Sequence, residues 1–265
     1  MREVGARRVN FFKGIVASVM LGGVVLAIGG EAMSFDAMWL LAASGVVGLS
    51  VGDSILFYAL GHLGPHRASL LMSLSPVMTA VGGWLLGEVL SGYQVVGIAF
   101  ATGGVALVVR FGPAARRRAP KPHTVAVLAG VGAALCQAVG VLLAKRGMEE
   151  AGVWTGTLVR LLAATVALGA YAVARGWLRT DLRRLFRRGP LTRLVPAAFI
   201  GTFLGLSLMQ AGIKLTPSAV ASALHSTTPL FALPIAVYFL KERAGPGVIL
   251  GSFVAVGGVM LLLLS

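Results

Sequence analysis

Long apolar stretches, separated by short clusters of charged and turn-forming residues, follow one another along almost the entire chain. A helix that crosses the hydrocarbon core of a bilayer needs roughly 20 consecutive, mainly apolar residues. Nine stretches meet this requirement, at residues 11–30, 37–60, 67–88, 92–110, 124–144, 154–174, 191–212, 218–240 and 246–264. The pattern predicts a polytopic, all-α transmembrane helical bundle of about nine spans.

Composition agrees with this prediction. Of the 265 residues, 57% are apolar and only 12% are charged, whereas soluble domains carry about 25% charged residues. Lys13 lies near the start of the first span, where a lysine side chain can extend its ammonium group to the lipid headgroups. The one cysteine, Cys136, excludes an intrachain disulfide and a cysteine metal cluster. The lipid bilayer is therefore the predicted surroundings of most of the chain.

The net charge of +14 fits either nucleic-acid binding or membrane orientation, and the positions of the 23 basic residues distinguish the two. When the spans alternate from a cytoplasmic N-terminus, 19 of these residues fall on the cytoplasmic side. Only Lys145, Arg146 and Lys214 fall outside, and Arg160 lies within a span. This asymmetry predicts no nucleic-acid partner. It predicts a multi-pass protein of the plasma or inner membrane, with its N-terminus in the cytoplasm and its C-terminus outside.

Two parts of the sequence are related to each other. Residues 48–105 align with residues 201–259 at a spacing of 153 residues, which becomes 154 in the last third of the alignment. Copies with an odd number of spans in each repeat unit must have opposite orientations in the membrane, as in many secondary transporters. We predict a first repeat at residues 1–110, a basic linker at 111–123 and a second repeat at 124–265.

Glycines and prolines recur at matching positions of the two repeats. A GxxxG pattern lets neighbouring helix backbones approach closely, and a proline inside a span removes a backbone hydrogen bond and bends the helix. The predicted packing glycines are Gly48, Gly52, Gly201 and Gly205, and the predicted kinks are at Pro76 and Pro229. The first pair also matches the GxSxG pattern of nucleophile elbows, but Phe203 replaces Ser50 in the second repeat, so packing is the predicted role.

Ionisable and polar side chains inside a membrane are costly to bury and therefore mark candidate functional sites. The candidates for substrate binding or coupling are Asp53, Arg160, His225, Gln137, Gln210, Ser73, Ser226 and Thr227. Asp53 is the first candidate for proton coupling, with a structural carboxylate that faces the bundle as the equal alternative. Arg160 lies near one end of its span, so we favour a side chain that extends to the headgroups. The alternatives are a pair with Asp53 or contact with an anionic group of the substrate.

The other candidates also have structural alternatives. His225 can titrate near neutral pH, but a lone histidine is often only hydrogen-bonded. Gln137 and Gln210 suit a cavity at the membrane midplane or hydrogen bonds between helices equally well. The hydroxyl groups just before each proline, in SLSP and STTP, either satisfy backbone groups or face a cavity.

Paired landmarks recur in two long segments, each with an alanine-serine pair, a proline and a glutamate. The segments are GDSILFYALGHLGPHRASLLMSLSPVMTAVGGWLLGEVLS and GTFLGLSLMQAGIKLTPSAVASALHSTTPLFALPIAVYFLKER. Together with ALCQAVGVLLAKRGM, they resemble the EamA family of the drug/metabolite transporter superfamily over essentially the whole chain. The resemblance implies export or exchange of small metabolites.

Two departures from the family pattern lead to further expectations. The family usually has ten helices, five in each repeat, so we expect that the opening helix is absent here and that the repeats have four and five helices. The usual family arrangement places both termini in the cytoplasm, whereas the basic residues of this chain favour an external C-terminus.

The sequence predicts no enzymatic activity. The four histidines, at positions 62, 66, 123 and 225, do not cluster, so neither a metal site nor a catalytic group is predicted. No GxxxxGK[ST] phosphate loop occurs, so no nucleotide or other cofactor is predicted. We predict a secondary transporter of a small metabolite or drug-like compound that works by alternating access, with proton-coupled export and exchange both open. A membrane-embedded lipid-handling protein, a channel and an inactive truncated transporter are the alternatives.

Overall fold

The computed structural model describes residues 6–111, 124–176, 194–228, 230 and 245–264. These parts of the chain form helices, because a helix satisfies its backbone hydrogen bonds internally, as the interior of a membrane requires. The α-helices are α1 (Ala6–Ile28), α2 (Phe35–Ser44), α3 (Asp53–Leu63), α4 (Pro65–Met72), α5 (Ser75–Leu85), α6 (Gly92–Phe111), α7 (Thr124–Gly147), α8 (Val153–Ala174), α9 (Gly205–Leu215), α10 (Ser218–Ser226) and α11 (Pro246–Leu263). Two π-helical segments, π1 (Gly45–Gly52) and π2 (Phe199–Leu204), directly precede α3 and α9.

Eight helical stretches in the described parts of the chain are long and apolar enough to cross a membrane. They are Asn10–Ile28, Phe35–Leu63, Arg67–Leu85, Gly92–Phe111, Thr124–Gly147, Val153–Ala174, Leu194–Leu215 and Pro246–Leu263. They coincide with eight of the predicted spans and confirm the polytopic, all-α class. The other predicted span, 218–240, is described only up to residue 228 and at residue 230. Pro229, and the predicted linker beyond Phe111, lie outside the described residues.

The helices form two compact units, and each unit draws segments from both halves of the chain. Unit 1 consists of Met1–Ser54 and Leu143–Leu215, and unit 2 consists of Ile55–Leu142 and Thr216–Ser265. The units therefore do not coincide with the predicted sequence repeats.

In unit 1, α8 packs against α1, α2 and π1. One apolar cluster joins α1 to α8 through Ala17, Leu21 and Leu161, and Phe203 of π2 completes it. The backbones approach closely at Gly45, where a Cβ atom would overlap the carbonyl group of Arg160. Glycine at this position therefore allows π1 to lie directly against α8.

In unit 2, α6 and α11 cross through small residues, and the order of their contacts shows that they are antiparallel. A Cβ atom at Gly104 would overlap the backbone of Ala255, and one at Gly258 would overlap the backbone of Ala101. The repeat alignment pairs Ala101 with Ala255 and Gly104 with Gly258, so each helix presents matching residues to the other. A two-fold axis between inverted copies produces this kind of self-complementary contact.

The secondary structure also changes at matching places. The residues of π2 correspond to residues within π1 at the repeat spacing of 153, and Pro65 at the start of α4 corresponds to Ser218 at the start of α10. A π-helical turn inserts an extra residue into a helix and is frequent at functional sites. The sequence pattern did not predict either segment, because a continuous apolar run contains no signal for the width of a helical turn.

The span that contains Pro76 is interrupted just before the proline, in the turn where a kink is predicted. The helix is divided at Ser73 and Leu74, and Pro76 occupies the first turn of α5. A proline in the first turn has no intrahelical partner to lose, because the N–H groups there are unpaired in any helix. Pro76 therefore fits the start of α5, and the interruption lies in the turn that precedes it.

The GxxxG glycines of the two repeats differ in their surroundings. Gly48 and Gly52 are buried within π1. A Cβ atom at Gly201 would meet its nearest atom at 3.9 Å, and one at Gly205 at 3.5 Å, which are ordinary contact distances. These two glycines therefore do not bring helices together. Gly45, which does not belong to the pattern, does allow a close approach in unit 1.

Candidate functional site

Asp53 lies in unit 1 as the first residue of α3, directly after π1. Its Oδ2 atom accepts a hydrogen bond of 3.0 Å from the Nδ2 group of Asn10 on α1. The carboxylate lines a partly open cavity of about 170 Å³. The other polar residues that line this cavity are Asn10, Lys13, Thr165 and Thr202. An aspartate, an asparagine, a lysine and two threonines therefore line one cavity.

Close packing of α1 against α8 places these groups together. A Cβ atom at Gly14 would lie 2.6 Å from the Oγ1 atom of Thr165, so only glycine fits without displacing that side chain. Asn10 lies one turn before Gly14 and therefore shares its helix face. Lys13, predicted to reach for the headgroups, instead lines the cavity with Asp53.

Two cations act on the Asp53 carboxylate. Lys13 on α1 and Arg160 on α8 both interact electrostatically with it. Such attractions are much stronger in a low-dielectric interior than in water. Protonation of Asp53 would remove both attractions at once.

Arg160 and Gln210 form a second polar group within unit 1. The Nη1 group of Arg160 donates a 2.5 Å hydrogen bond to Oε1 of Gln210 on α9. Arg160 is 1% exposed and Gln210 is 0% exposed. The favoured interpretation of Arg160, a side chain that extends to the headgroups, is therefore wrong, because its guanidinium group lies inside the helix bundle.

The remaining candidates lie in unit 2. The Ser73 hydroxyl donates to the carbonyl oxygen of Leu70 at 2.7 Å, and the Ser226 hydroxyl donates to that of Ala223 at 2.7 Å. Thr227 donates in the same way to the carbonyl oxygen of Leu224, at 2.6 Å. All three hydroxyls therefore satisfy backbone groups, which is one of the two predicted alternatives.

His225 and Gln137 differ in exposure. The His225 side chain is exposed on α10, and its carbonyl oxygen accepts a hydrogen bond of 2.7 Å from the Thr228 hydroxyl. Gln137 is half-buried on α7. A substrate role for either residue stays a prediction.

Several polar contacts were missed by reasoning from the sequence. The Oε2 atom of Glu88 accepts hydrogen bonds from both the backbone N–H (3.0 Å) and the hydroxyl (2.7 Å) of Ser218, at the start of α10. The Thr79 hydroxyl lies 3.2 Å from that of Ser222. The repeat alignment pairs Ser222 with Ser69, and Glu88 with Glu242. It could have drawn attention to these positions, but not to their partners.

Two of the basic residues predicted to lie outside have backbone partners. Lys145 donates from Nζ to the carbonyl oxygen of Lys214 at 3.2 Å, at the end of α9. Lys214 donates in turn to the carbonyl oxygen of Ala151 at 2.7 Å. Cations are favourable at helix C-termini, where carbonyl groups lack intrahelical partners. These exceptions to the charge asymmetry therefore have a structural use.

Comparison with known proteins adds a family match. The sequence profile of the EamA-like transporter family matches residues 1–110 and 124–264. A Streptantibioticus cattleyicolor protein named as a probable terminal-alkyne amino-acid exporter is 26% identical over 259 residues, which cover 93% of this chain and 80% of that protein. The uncharacterised transporter YdfC of Bacillus subtilis is 33% identical over 109 residues, which cover 40% of this chain and 32% of YdfC.

A solved crystal structure is similar in fold. It has a TM-score of 0.77 and 16% sequence identity, and the similarity covers 98% of this chain and 88% of the solved chain. At this level of identity the similarity concerns the fold alone.

Proposed function

This chain belongs to the EamA-like transporter family, and we propose that it is a secondary transporter that moves a small metabolite or drug-like compound by alternating access. The family match over nearly the whole chain is the observation that carries the proposal. The 26% identical relative is named as an amino-acid exporter, so amino acids are the first substrates to test.

The repeat supports the alternating-access part of the proposal. Inverted repeats supply two equivalent gates, so that a site near the midplane opens first to one side and then to the other. The self-complementary crossing of α6 and α11 and the matching positions of π1 and π2 both fit this plan.

Asp53 is the proposed site of proton coupling. Its carboxylate lines a partly open cavity, where a proton from water can reach it, and it is hydrogen-bonded to Asn10. Protonation would weaken its attraction to Lys13 and Arg160, which lie on two different helices. Binding of a proton at Asp53 would therefore favour a different packing of α1 against α8.

Counterflow in proteoliposomes tests the transport proposal. The probes are radiolabelled propargylglycine, benzoate and ethidium, which represent a terminal-alkyne amino acid, an organic acid and a drug-like cation. A carrier gives saturable uptake of at least one labelled probe against a high internal concentration of the same unlabelled probe. Flux without saturation would indicate a channel, and absence of flux for all three probes would contradict the proposal.

The coupling role of Asp53 is tested by Asp53→Asn in the same vesicles under a pH gradient. We expect gradient-driven accumulation to fall to the level of protein-free vesicles, because the amide cannot carry a proton, while counterflow continues. Asp36→Asn is the matched control, since Asp36 is an exposed carboxylate in the first turn of α2. Full gradient-driven accumulation by Asp53→Asn would remove Asp53 from the coupling mechanism.

A further inference from the structure

The buried side chains of Arg160 and Gln210 have more hydrogen-bond donors than there are acceptors around them. Nη1 of Arg160 is bonded to Oε1 of Gln210. Nε and Nη2 of Arg160 and Nε2 of Gln210 are buried and have no hydrogen-bond partner among the described residues. All three of these groups are hydrogen-bond donors. A ligand that satisfies them must therefore offer hydrogen-bond acceptors.

The geometry of the guanidinium group narrows the class of acceptor. Nε–H and one N–H of Nη2 lie parallel on one edge of the group, and this edge matches the two oxygens of a carboxylate. The bond to Gln210 uses the other terminal nitrogen, Nη1, and leaves this edge available. The amide Nε2 of Gln210 adds a third donor beside it.

The cost of burial favours an acceptor with negative charge at the unbonded edge of Arg160. An unpaired charge inside a protein is strongly unfavourable, whereas a buried arginine that is bidentate to a carboxylate is well satisfied. Asp53 accepts a hydrogen bond from Asn10, and its interaction with Arg160 is electrostatic. Its negative charge would oppose an acceptor with two charges, which favours a monocarboxylate over a phosphate group.

The pair also lies next to the cavity already described. Ala164 on α8 and Leu206 on α9 line that cavity, and Arg160 and Gln210 are each four residues from one of them on the same helix. Four residues are about one helical turn, or roughly 6 Å. Arg160 and Gln210 therefore each lie about one helical turn from a residue that lines the cavity.

We infer that Arg160 and Gln210 bind the carboxylate group of the transported compound, so that the substrate class is a monocarboxylic acid, amino acids included. This inference rests on the proposed transport function. It makes a prediction that transport alone does not: the protein prefers an acid over the matching amide.

The test compares two pairs of probes in proteoliposomes, propargylglycine with propargylglycinamide and benzoate with benzamide. For the wild type, we expect the KM of at least one acid to be about 10- to 100-fold lower than that of its amide, from the loss of a charge-assisted hydrogen bond. Arg160→Gln removes the charge and should abolish the preference. Arg175→Gln is the matched control, because Arg175 is exposed at the end of α8 and should leave the preference unchanged.

Gln210→Glu provides a second variant that does not depend on loss of the arginine. It keeps the side-chain size and places an internal carboxylate against Arg160, so the pair becomes an ion pair. We expect this variant to fold with an unchanged or higher Tm and to lose its preference for acids. If Arg160 has only a structural role, Gln210→Glu will still transport acids.

The outcomes separate the inference from the transport function. Equal transport of acids and amides by the wild type, or transport of ethidium alone, would overturn the carboxylate site and leave the transporter standing. A preference for acids that persists in Arg160→Gln or Gln210→Glu would also overturn the site. A wild type that moves none of the probes would overturn both proposals.

Discussion

At the residue scale, single glycines and single polar contacts decide how the helices meet. Gly14 allows Asn10 to reach Asp53, and Gly45 allows π1 to lie on the backbone of Arg160. These effects come from positions that look unremarkable in an apolar sequence. Gly14 and Gly45 therefore position the polar groups around them, although a glycine carries no functional group itself.

The contact of Glu88 with the start of α10 leads to a stability prediction. Glu88→Gln keeps the size of the side chain but removes its negative charge, and with it the charge-assisted bonds to Ser218 and the favourable interaction with the helix N-terminus. We expect the free energy of unfolding to fall by about 1–2 kcal/mol, seen as a lower Tm in detergent. Glu149→Gln, at an exposed turn, is the control. Equal Tm values for the two variants would contradict a capping role.

Reasoning from the sequence identified Asp53, Arg160 and Gln210 but not their surroundings. Asn10 and Asp53 are 43 residues apart in the chain, and no local pattern reveals which helix faces meet. The position of Arg160 was misjudged because its distance to the end of the span was counted along one helix. Its actual burial depends on α9, which supplies Gln210.

At the element scale, the apolar pattern predicted the spans well, because roughly 20 apolar residues are both necessary and easily recognised. It could not predict where a span changes its helical form. The segments π1 and π2 depend on backbone geometry within continuous apolar runs, whereas the break between α4 and α5 lies just before Pro76. The repeat alignment nevertheless relates π1 to π2, so one such segment would have been enough to locate the other.

The crossing of α6 and α11 gives a matched pair of substitutions on neighbouring residues. A Cβ atom at Gly104 would overlap the backbone of Ala255, whereas one at Gly103 meets no atom within 4 Å. We expect Gly104→Ala to lower the free energy of unfolding by about 1–3 kcal/mol through overpacking. Gly103→Ala should be neutral or slightly stabilising, because glycine is a poor helix former. Thermal unfolding followed by size-exclusion chromatography measures both, and equal loss in the two variants would contradict the crossing.

At the scale of the whole molecule, the chain combines an all-α membrane fold, family membership and a polar cavity in unit 1. Family membership accounts for transport as a class of activity. The predicted orientation, with a cytoplasmic N-terminus and an external C-terminus, stays a prediction that rests on the basic residues. The proposal of alternating access links the repeat to the cavity, and it requires the cavity to open towards each side of the membrane in turn.

The most direct test of alternating access is the accessibility of Thr202, which lines the cavity at π2. In a Cys136→Ala background, Thr202→Cys is treated with a membrane-impermeant thiol reagent in right-side-out vesicles and, separately, in inside-out vesicles. Alternating access predicts labelling from both sides, with rates that shift in opposite directions when a saturating transported probe is added on one side. Labelling from one side only, with or without the probe, would contradict alternating access through this cavity.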